Sequence, residues 1–348
     1  MKRFKRGKDY GFFDQDIRLS KLTQLGDPLE RLVQGVDFEI FRAFLMKHLS
    51  KISKGPGGRP PYDYVLMFKV LILQRYYNLS DDQVEYQIND RLSFMRFLDL
   101  TIADDVPDSK TVWNFKEQLI DLDLIEPIFE LFIRHLEDLD LVLHEGKIID
   151  ASFIEVPKQR NTKAENALIK EGEIPASFTE NPHKLAQKDT DARWTQKGGV
   201  NYFGYKNHVK TDAKSKIITG YTVSDASVHD SQEIDNLLDS KDEWQDLFAD
   251  SAYTGEKQTA IIADKKMNNQ VCERAYRNKP LSEEQKENNT QKSRTRSRVE
   301  HIFGFMENSM DGMYLYQIGI KRIKATVGLM NLTYNMFRKI QLLTLLLE

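Results

Sequence analysis

Apolar positions along the chain change their spacing near residue 141. Before it, "YVLMFKVLILQRYY" (64–77) carries apolar residues on nearly every helical face, the pattern of a helix buried within a small helical domain. The prolines of "GPGGRPPYDY" (55–64) hold off that helix until the chain has passed Pro61. In "LSDDQVEYQI", Ser80 is an N-cap followed by acids in the first turn. "PDSKTVWNFKEQL" repeats the device: Asp108 or Ser109 caps, and Val112, Phe115 and Leu119 recur at helical spacing. Several short helices between residues 65 and 140 are predicted.

From Leu141, "LVLHEGKIIDASFIEV" places Ile148, Ile149, Phe153, Ile154 and Val156 in an extended segment running through Asp150. Residues 157–198 show no sustained apolar period and predict a mobile insertion. "YFGYKNHVKTD" and "IITGYTVSDAS", separated by "AKSK", predict a hairpin. A short amphipathic helix ("DSQEIDNLLDS"), a strand ("WQDLFAD"), a helix ("GEKQTAIIADKKM") and a strand ("NQVCERAY") follow. Beyond the polar linker "NKPLSEEQKENNTQKSRT", helices are predicted over "RSRVEHIFGFMEN" and "KATVGLMNLTYNMFRKIQLLTLLL". The chain therefore reads as a basic arm (1–60), an α-helical N-terminal domain (61–140), and a mixed-sheet α/β or α+β domain (141–348). No internal repeat is present.

Composition adds bounds. A chain of 348 residues with 40% hydrophobic and 30% charged residues has room for two domains with cores of their own. The single cysteine, Cys272, excludes an internal disulfide and a thiolate zinc site; it is expected to be a buried strand residue in a reducing cytoplasm. "MKRFKRGKDYGFF" leads into no apolar signal core, and "IQLLTLLL" falls short of a membrane span, so a soluble protein without a membrane partner is expected.

The net charge of −3 hides an uneven distribution. Basic residues number 13 against 7 acidic in 1–60, 8 against 19 in 61–150, 13 against 17 in 151–250, and 16 against 10 in 251–348. Phosphate affinity follows local Lys and Arg, so the two basic ends admit nucleic acid despite the acidic total. A solvated charged surface explains the same composition.

Candidate chemistry centres on three acids. Asp150 and Asp250 each lie at or near the end of a predicted strand, where ligands of α/β sheets commonly bind. Glu300 follows "KSRTRSR" on a predicted helix, with Arg296 one turn before it on the same face. Brought together, three acids repel unless cations neutralise them, and hard oxygen donors suit Mg²⁺ or Mn²⁺. Two such ions can activate a water or hydroxyl and stabilise the leaving oxygen of a phosphodiester. Structural caps and ordinary ion pairs are the plain alternatives for each acid. Lys206 and His208 share a strand face that could meet DNA or carry a solvent-facing Lys and a hydrogen-bonded His. Arg294, Arg296 and Arg298 spread over a helical arc suited to a phosphate backbone, or to solvent. His229 with Asp230 reads as a helix cap, and Met310, Met313, Tyr314 and Tyr316 as core.

The ordered blocks "IIDASFIEVP", "YFGYKNHVKTDAKS", "VHDSQEIDNLL", "ADSAYTG" and "RSRVEHIF" resemble those of bacterial insertion-sequence DDE transposases of the insertion sequence family five type. "GRPPYDYVLMFKVLILQRYYNLSDDQVEYQI" and "PDSKTVWNF" are similar to that family's N-terminal helical domain, and the matches span roughly residues 55 to 340. The resemblance implies an RNase H-like catalytic fold, two Mg²⁺ or Mn²⁺ ions, and Asp150, Asp250 and Glu300 as the catalytic, metal-binding triad. It further implies binding of terminal inverted repeats, cleavage of double-stranded DNA ends, and strand transfer to target DNA by a homo-oligomer in the bacterial cytoplasm at the nucleoid. Backbone contacts are expected from the arm up to Arg59 and from Arg294, Arg296 and Arg298. Where the wider group has a Tyr and a Lys on the catalytic helix, Ser293 and Glu307 stand here. A nuclease without strand transfer and a catalytically silent DNA-binding regulator are the competing readings.

Overall fold

The computed structural model describes residues 11, 13–50, 60–277 and 279–347. The chain divides into two compact units, residues up to 73 with 79–115, and residues 74–78 with 116 onward.

The first unit is helical: α1 (Asp14–Gln24), α2 (Pro28–Gly35), a 3-10 turn (Phe38–Phe41), α3 (Arg42–Leu49), α4 (Tyr64–Tyr76), α5 (Asp81–Asp90), α6 (Leu92–Phe97) and the start of α7 (Ser109–Asp121). Ser80 and Gln83 form a reciprocal capping box on α5, and Asp108 accepts the Thr111 N–H at α7. Residues 29–49, read from charge as part of an arm, instead contribute core. The Asp27 side chain caps α2, Pro28 takes its first position, and Leu29 and Leu32 are buried. Phe38 meets Phe97 edge-on at 5.7 Å and Phe41 lies 4.7 Å from Phe68, so this segment closes over the buried α4. Arg59 lies outside the described residues.

In the second unit, helix α8 (Ile125–Asp138) belongs with the sheet, not with the N-terminal helices, and its Phe129 packs edge-on against Tyr221 at 5.0 Å. The elements then run β1 (Lys147–Glu155), α9 (Lys163–Lys170), α10 (Ala176–Thr179), α11 (Pro182–Leu185), β2 (Arg193–Lys197), β3 (Val200–Asp212), β4 (Ile218–Asp225) and α12 (Ile234–Leu237). They continue with β5 (Asp246–Ala249), α13 (Glu256–Asp264), β6 (Asn268–Val271), α14 (Glu283–Arg296), α15 (Glu300–Asn308) and α16 (Ile320–Leu347). The sheet core has the order β4-β3-β1-β5-β6, with β2 extending the free half of β3. β3 is antiparallel to both of its neighbours β1 and β4, while β5 and β6 run parallel to β1. Three antiparallel strands followed by two parallel ones, with helices on the faces, is the RNase H-like arrangement. Among the described residues no helix is long and apolar enough to cross a membrane.

Buried amides dock α16 onto the sheet. Asn331 and Asn207 exchange hydrogen bonds of 2.8 and 3.2 Å, and Asn335 binds both backbone groups of Ile218. Such paired amides specify one register of helix on sheet, because any slip leaves them buried without partners.

The stretch expected to be a mobile insertion has a fixed place. Thr162 and Glu165 cap α9 reciprocally, and Asp189 acts as a hub under the whole segment. The Asp189 carboxylate is buried and accepts hydrogen bonds from the Tyr205 hydroxyl and from the backbone N–H groups of Asp191, Ala192 and Gly319. Besides these polar contacts the segment buries Ile169, Phe178 and Ala192, too widely spaced to show as an apolar period.

Candidate active site

In the parallel pairing of β1 with β5, Lys147 lies opposite Leu247 and Ile148 opposite Phe248. Two residues further in the same register come Asp150 and Asp250. Asp150 is thus the fourth residue of a nine-residue strand and not its end. It is accessible because β5 stops at Ala249, leaving the rest of β1 with β3 as its sheet neighbour. Asp250 turns away from the strand as N-cap of a 3-10 turn, Ser251–Tyr253, its Oδ1 accepting the Ala252 N–H at 2.8 Å. Small residues after Asp250 permit that tight turn.

Burial pushes the Asp150 carboxyl up to about 6, and the nearby Asp250 charge adds to the effect. The Ala151 N–H, which donates to Asp150 Oδ1, and the Arg296 and Lys197 charges oppose it. Two neighbouring carboxylates of which one is desolvated form a site that attracts positive charge.

Arg296 supplies part of that charge. From the last position of α14 its guanidinium donates to Asp150 Oδ2 at 3.1 Å and to Glu300 Oε1 at 3.5 Å. Glu300 opens α15 after a 3-10 turn, Ser297–Val299, and is largely exposed. The helix carrying Arg296 covers the segment expected to be a polar linker. It forms because Ser282 and Gln285 make a capping box, and because Asn289 and Lys292 bind the backbone of Glu273 and Val271 just after and at the end of β6.

Among the described residues no three His, Cys, Asp or Glu side chains are gathered tightly enough to hold a metal ion; Asp150 and Glu300 meet through Arg296 instead. The donors nonetheless fit a hard divalent cation. They are carboxylate oxygens, and the raised Asp150 carboxyl marks a place where an added positive charge is favoured.

Two residues assigned to DNA from the alternation of β3 are corrected. His208 is fully buried with its Nε2 2.8 Å from Ser224 Oγ, and burial lowers its imidazole to about 4. Lys206 is buried and donates to Asp230 Oδ1 at 2.7 Å and to the Val228 carbonyl at 2.6 Å. Both are buried, so neither can reach a phosphate. Of the arginines, Arg296 is turned inward to the carboxylates, which removes it from the outward arc. Arg294 and Arg298 are exposed, although one Arg298 nitrogen donates to the Ala213 carbonyl at 2.8 Å. Cys272 is buried immediately after β6, and His229 caps the turn beginning at Asp230. Met310 is core, whereas Tyr316 is exposed.

Tyr253 was not singled out by the sequence. Its ring is buried, its hydroxyl finds no hydrogen-bond partner among the described residues, and burial together with the charges of Asp150, Asp230, Asp250 and Glu233 drives that hydroxyl far above its ordinary range. A buried unpaired hydroxyl costs about 1–3 kcal/mol. Tyr253→Phe is therefore expected to melt at or above the wild-type temperature in metal-free buffer, as differential scanning calorimetry will read. A drop of several degrees would mean that the hydroxyl is paired after all.

The family model for "Transposase domain (DUF772)" matches residues 17–118, and that for "Transposase DDE domain" matches residues 143–336. A piggyBac transposase, solved as a synaptic complex with hairpin DNA, is similar over 92% of this chain and 76% of its own, at 12% identity and a TM-score of 0.45. The second of the two family models covers more than half of the sequence and contains Asp150, Asp250 and Glu300, so the chain belongs to the DDE transposases.

Proposed function

We propose that this DDE transposase is of the insertion sequence family five type, and that it binds the terminal inverted repeats of its element, cleaves the DNA ends and transfers them to target DNA. The observation that carries the reading is the convergence of Asp150 and Asp250 from adjacent parallel strands, with Glu300 tied to Asp150 through Arg296.

Asp150, Asp250 and Glu300 would hold two Mg²⁺ or Mn²⁺ ions, which when bound supply activation of the attacking oxygen and stabilisation of the leaving one. The chain's own groups orient the rest. The Ala151 and Ala252 N–H groups fix Oδ1 of each aspartate, and the Asp150 Oδ2 accepts from Arg296. Arg296 holds Glu300 against Asp150 until a stronger cation competes for both carboxylates. Because Glu300 begins a new helix after the 3-10 turn, it can shift without unwinding α14. Arg294 and Arg298, and the basic segment up to Arg59, would contact phosphates, with sequence read by an N-terminal helix in the major groove. Two ends must be held together for transfer, so a homo-oligomer on double-stranded DNA is part of the reading.

The test is to incubate the full chain with duplexes bearing the element's ends and Mg²⁺, and to map products at nucleotide resolution. Free 3′-hydroxyl ends followed by a joined strand are expected, and chelation of the metal is expected to stop both steps. Cleavage without joining would support a nuclease, and end binding without cleavage a regulator.

A further inference from the structure

One face of α14 acts as a ruler across the ends of three strands. Gln285, Asn289, Lys292 and Arg296 recur at the spacing of a single helical face. Asn289 exchanges hydrogen bonds of 2.8 and 3.0 Å with the Glu273 backbone, Lys292 donates to the Val271 carbonyl at 3.1 Å, and Arg296 reaches Asp150. Asn289 and Arg296 stand two turns apart, so the chain leaving β6 is anchored about 10 Å from Asp150 as measured along α14. Because Ala249 and Val271 are register partners in the parallel pair, that anchor lies at the same end of the sheet as Asp250.

The turn that follows the anchor is positive. Glu273 is the one acid between Cys272 and Ser282, and its carboxylate accepts from the Gln285 amide. Arg274, Arg277 and Lys279 are exposed, and none of them forms an ion pair with a described residue. Tyr276 and Lys279 exchange backbone hydrogen bonds of 3.1 and 3.0 Å, which closes the turn while the Tyr276 ring stays 62% exposed. Acids at the start of α14 face elsewhere: Glu283 and Glu287 stand about 160° round the helix from Gln285, and Glu284 about 100°. Glu283 is also paired with Lys286 at 2.7 Å. Exposed charges give folding less than about 1 kcal/mol even when paired, so the fold gains little from three unpaired cations held on an ordered turn. A polyanion gains a great deal. Along a duplex each strand presents a phosphate about every 3.4 Å of axis, so an offset of about 10 Å corresponds to about three base-pair steps.

We propose that the turn carrying Arg274, Arg277 and Lys279 grips the phosphate backbone of the element's end about three to five steps from the cut, with α14 fixing that interval. The proposal rests on the reading that DNA is cut at Asp150.

The test measures binding of the full chain to a fluorescent duplex of the element's end without divalent metal, so that cutting does not intervene. It compares wild type, the combined Arg274→Ala, Arg277→Ala and Lys279→Ala variant, and a charge-keeping variant with Arg274→Lys, Arg277→Lys and Lys279→Arg. Lys241→Ala with Lys266→Ala is the control, since both lysines precede β5 and β6 and so lie at the opposite end of those strands. The alanine variant is expected to flatten the log-log salt dependence by about 2 to 3, at about 0.9 per lost phosphate contact, with no change in melting temperature. The charge-keeping variant and the control are expected to hold the wild-type slope. Replacing the phosphates about three to five steps from the mapped cut by neutral methylphosphonates is expected to weaken wild-type binding and to leave the alanine variant unaffected. An unchanged slope in the alanine variant, an equal loss in the control, or indifference of wild type to those neutral phosphates overturns the assignment and leaves the cutting reading intact. If wild type binds no end duplex at all, the DNA reading itself fails and the assignment falls with it.

Discussion

Asp250→Asn is expected to lower cleavage of an end duplex by about 10³-fold or more, the scale on which a preorganised electrostatic group acts, while leaving the fold intact. Asparagine keeps the Oδ1 acceptor for the Ala252 N–H, so the 3-10 turn Ser251–Tyr253 retains its cap. What disappears is one negative charge beside Asp150. The Asp150 carboxyl, held at about 6 by burial and by that charge, should then move down. Its folded value lies above its unfolded one, so its contribution to stability is fully present below the ordinary carboxylate range and is lost as pH rises through about 6. In metal-free buffer the variant should therefore melt no lower than wild type at pH 8, and show a smaller loss of stability across pH 4 to 7. Single-turnover cleavage, Mn²⁺ binding by electron paramagnetic resonance and melting curves read these effects separately. Wild-type cleavage by the variant would remove Asp250 from the chemistry.

Asp242→Ala is expected to destabilise the second unit by about 3–5 kcal/mol, the cost of breaking a buried ion pair from one side. Lys210 donates to Asp242 Oδ2 and to Asp239 Oδ2, both at 2.7 Å, and Lys147 lies 3.9 Å from Asp242 Oδ1. The side chains of Lys147, Lys210 and Asp242 are each only 2% exposed, so water cannot replace the lost partner. Burial already lowers the Lys147 ammonium, and it is the Asp242 charge above all that opposes this. Chemical denaturation followed by circular dichroism measures the change. Glu145→Ala serves as the contrast: its pair with Lys214 is more than half exposed on both sides, and a loss of no more than about 1 kcal/mol is expected there. Equal effects of the two substitutions would show that the network is not sealed from solvent.

The sequence was most legible where a single local signal sufficed. Ser80 with Gln83 marks the start of α5, the "AKSK" turn separates β3 from β4, and the run "WQDLFAD" ends in the acid that caps the next turn. It was least legible where order comes from distant partners. Helix α14 has no apolar stripe and buries none of its residues, so it reads as linker, although its capping box and its bonds to Glu273 and Val271 hold it. Alternation on β3 placed Lys206 and His208 on one face correctly, but could not reveal that Asp230 and Ser224 cover that face. Charge counting made an arm of residues 1–60, because the basic residues outnumber the acids there while Leu29, Leu32, Phe38 and Phe41 supply the core. The three acids proposed for the site were picked out by type and position. The inward turn of Arg296 required the packing of α14 against Asp150 and Glu300.

The pairing of β1 with β5 joins strands whose partners stand 100 residues apart, and Glu300 comes 50 residues later still. A chain growing on the ribosome therefore completes its N-terminal helical unit long before it holds two aspartates side by side, and longer before it acquires the third acid. Contacts of such high sequence separation form late, after the hairpin and the segment around Asp189 are in place. The nascent polypeptide consequently lacks the proposed carboxylate site while it is still being synthesised. Assembly of the proposed site is deferred until translation has passed the α14 and α15 boundary, which places a delay between making the chain and completing that site.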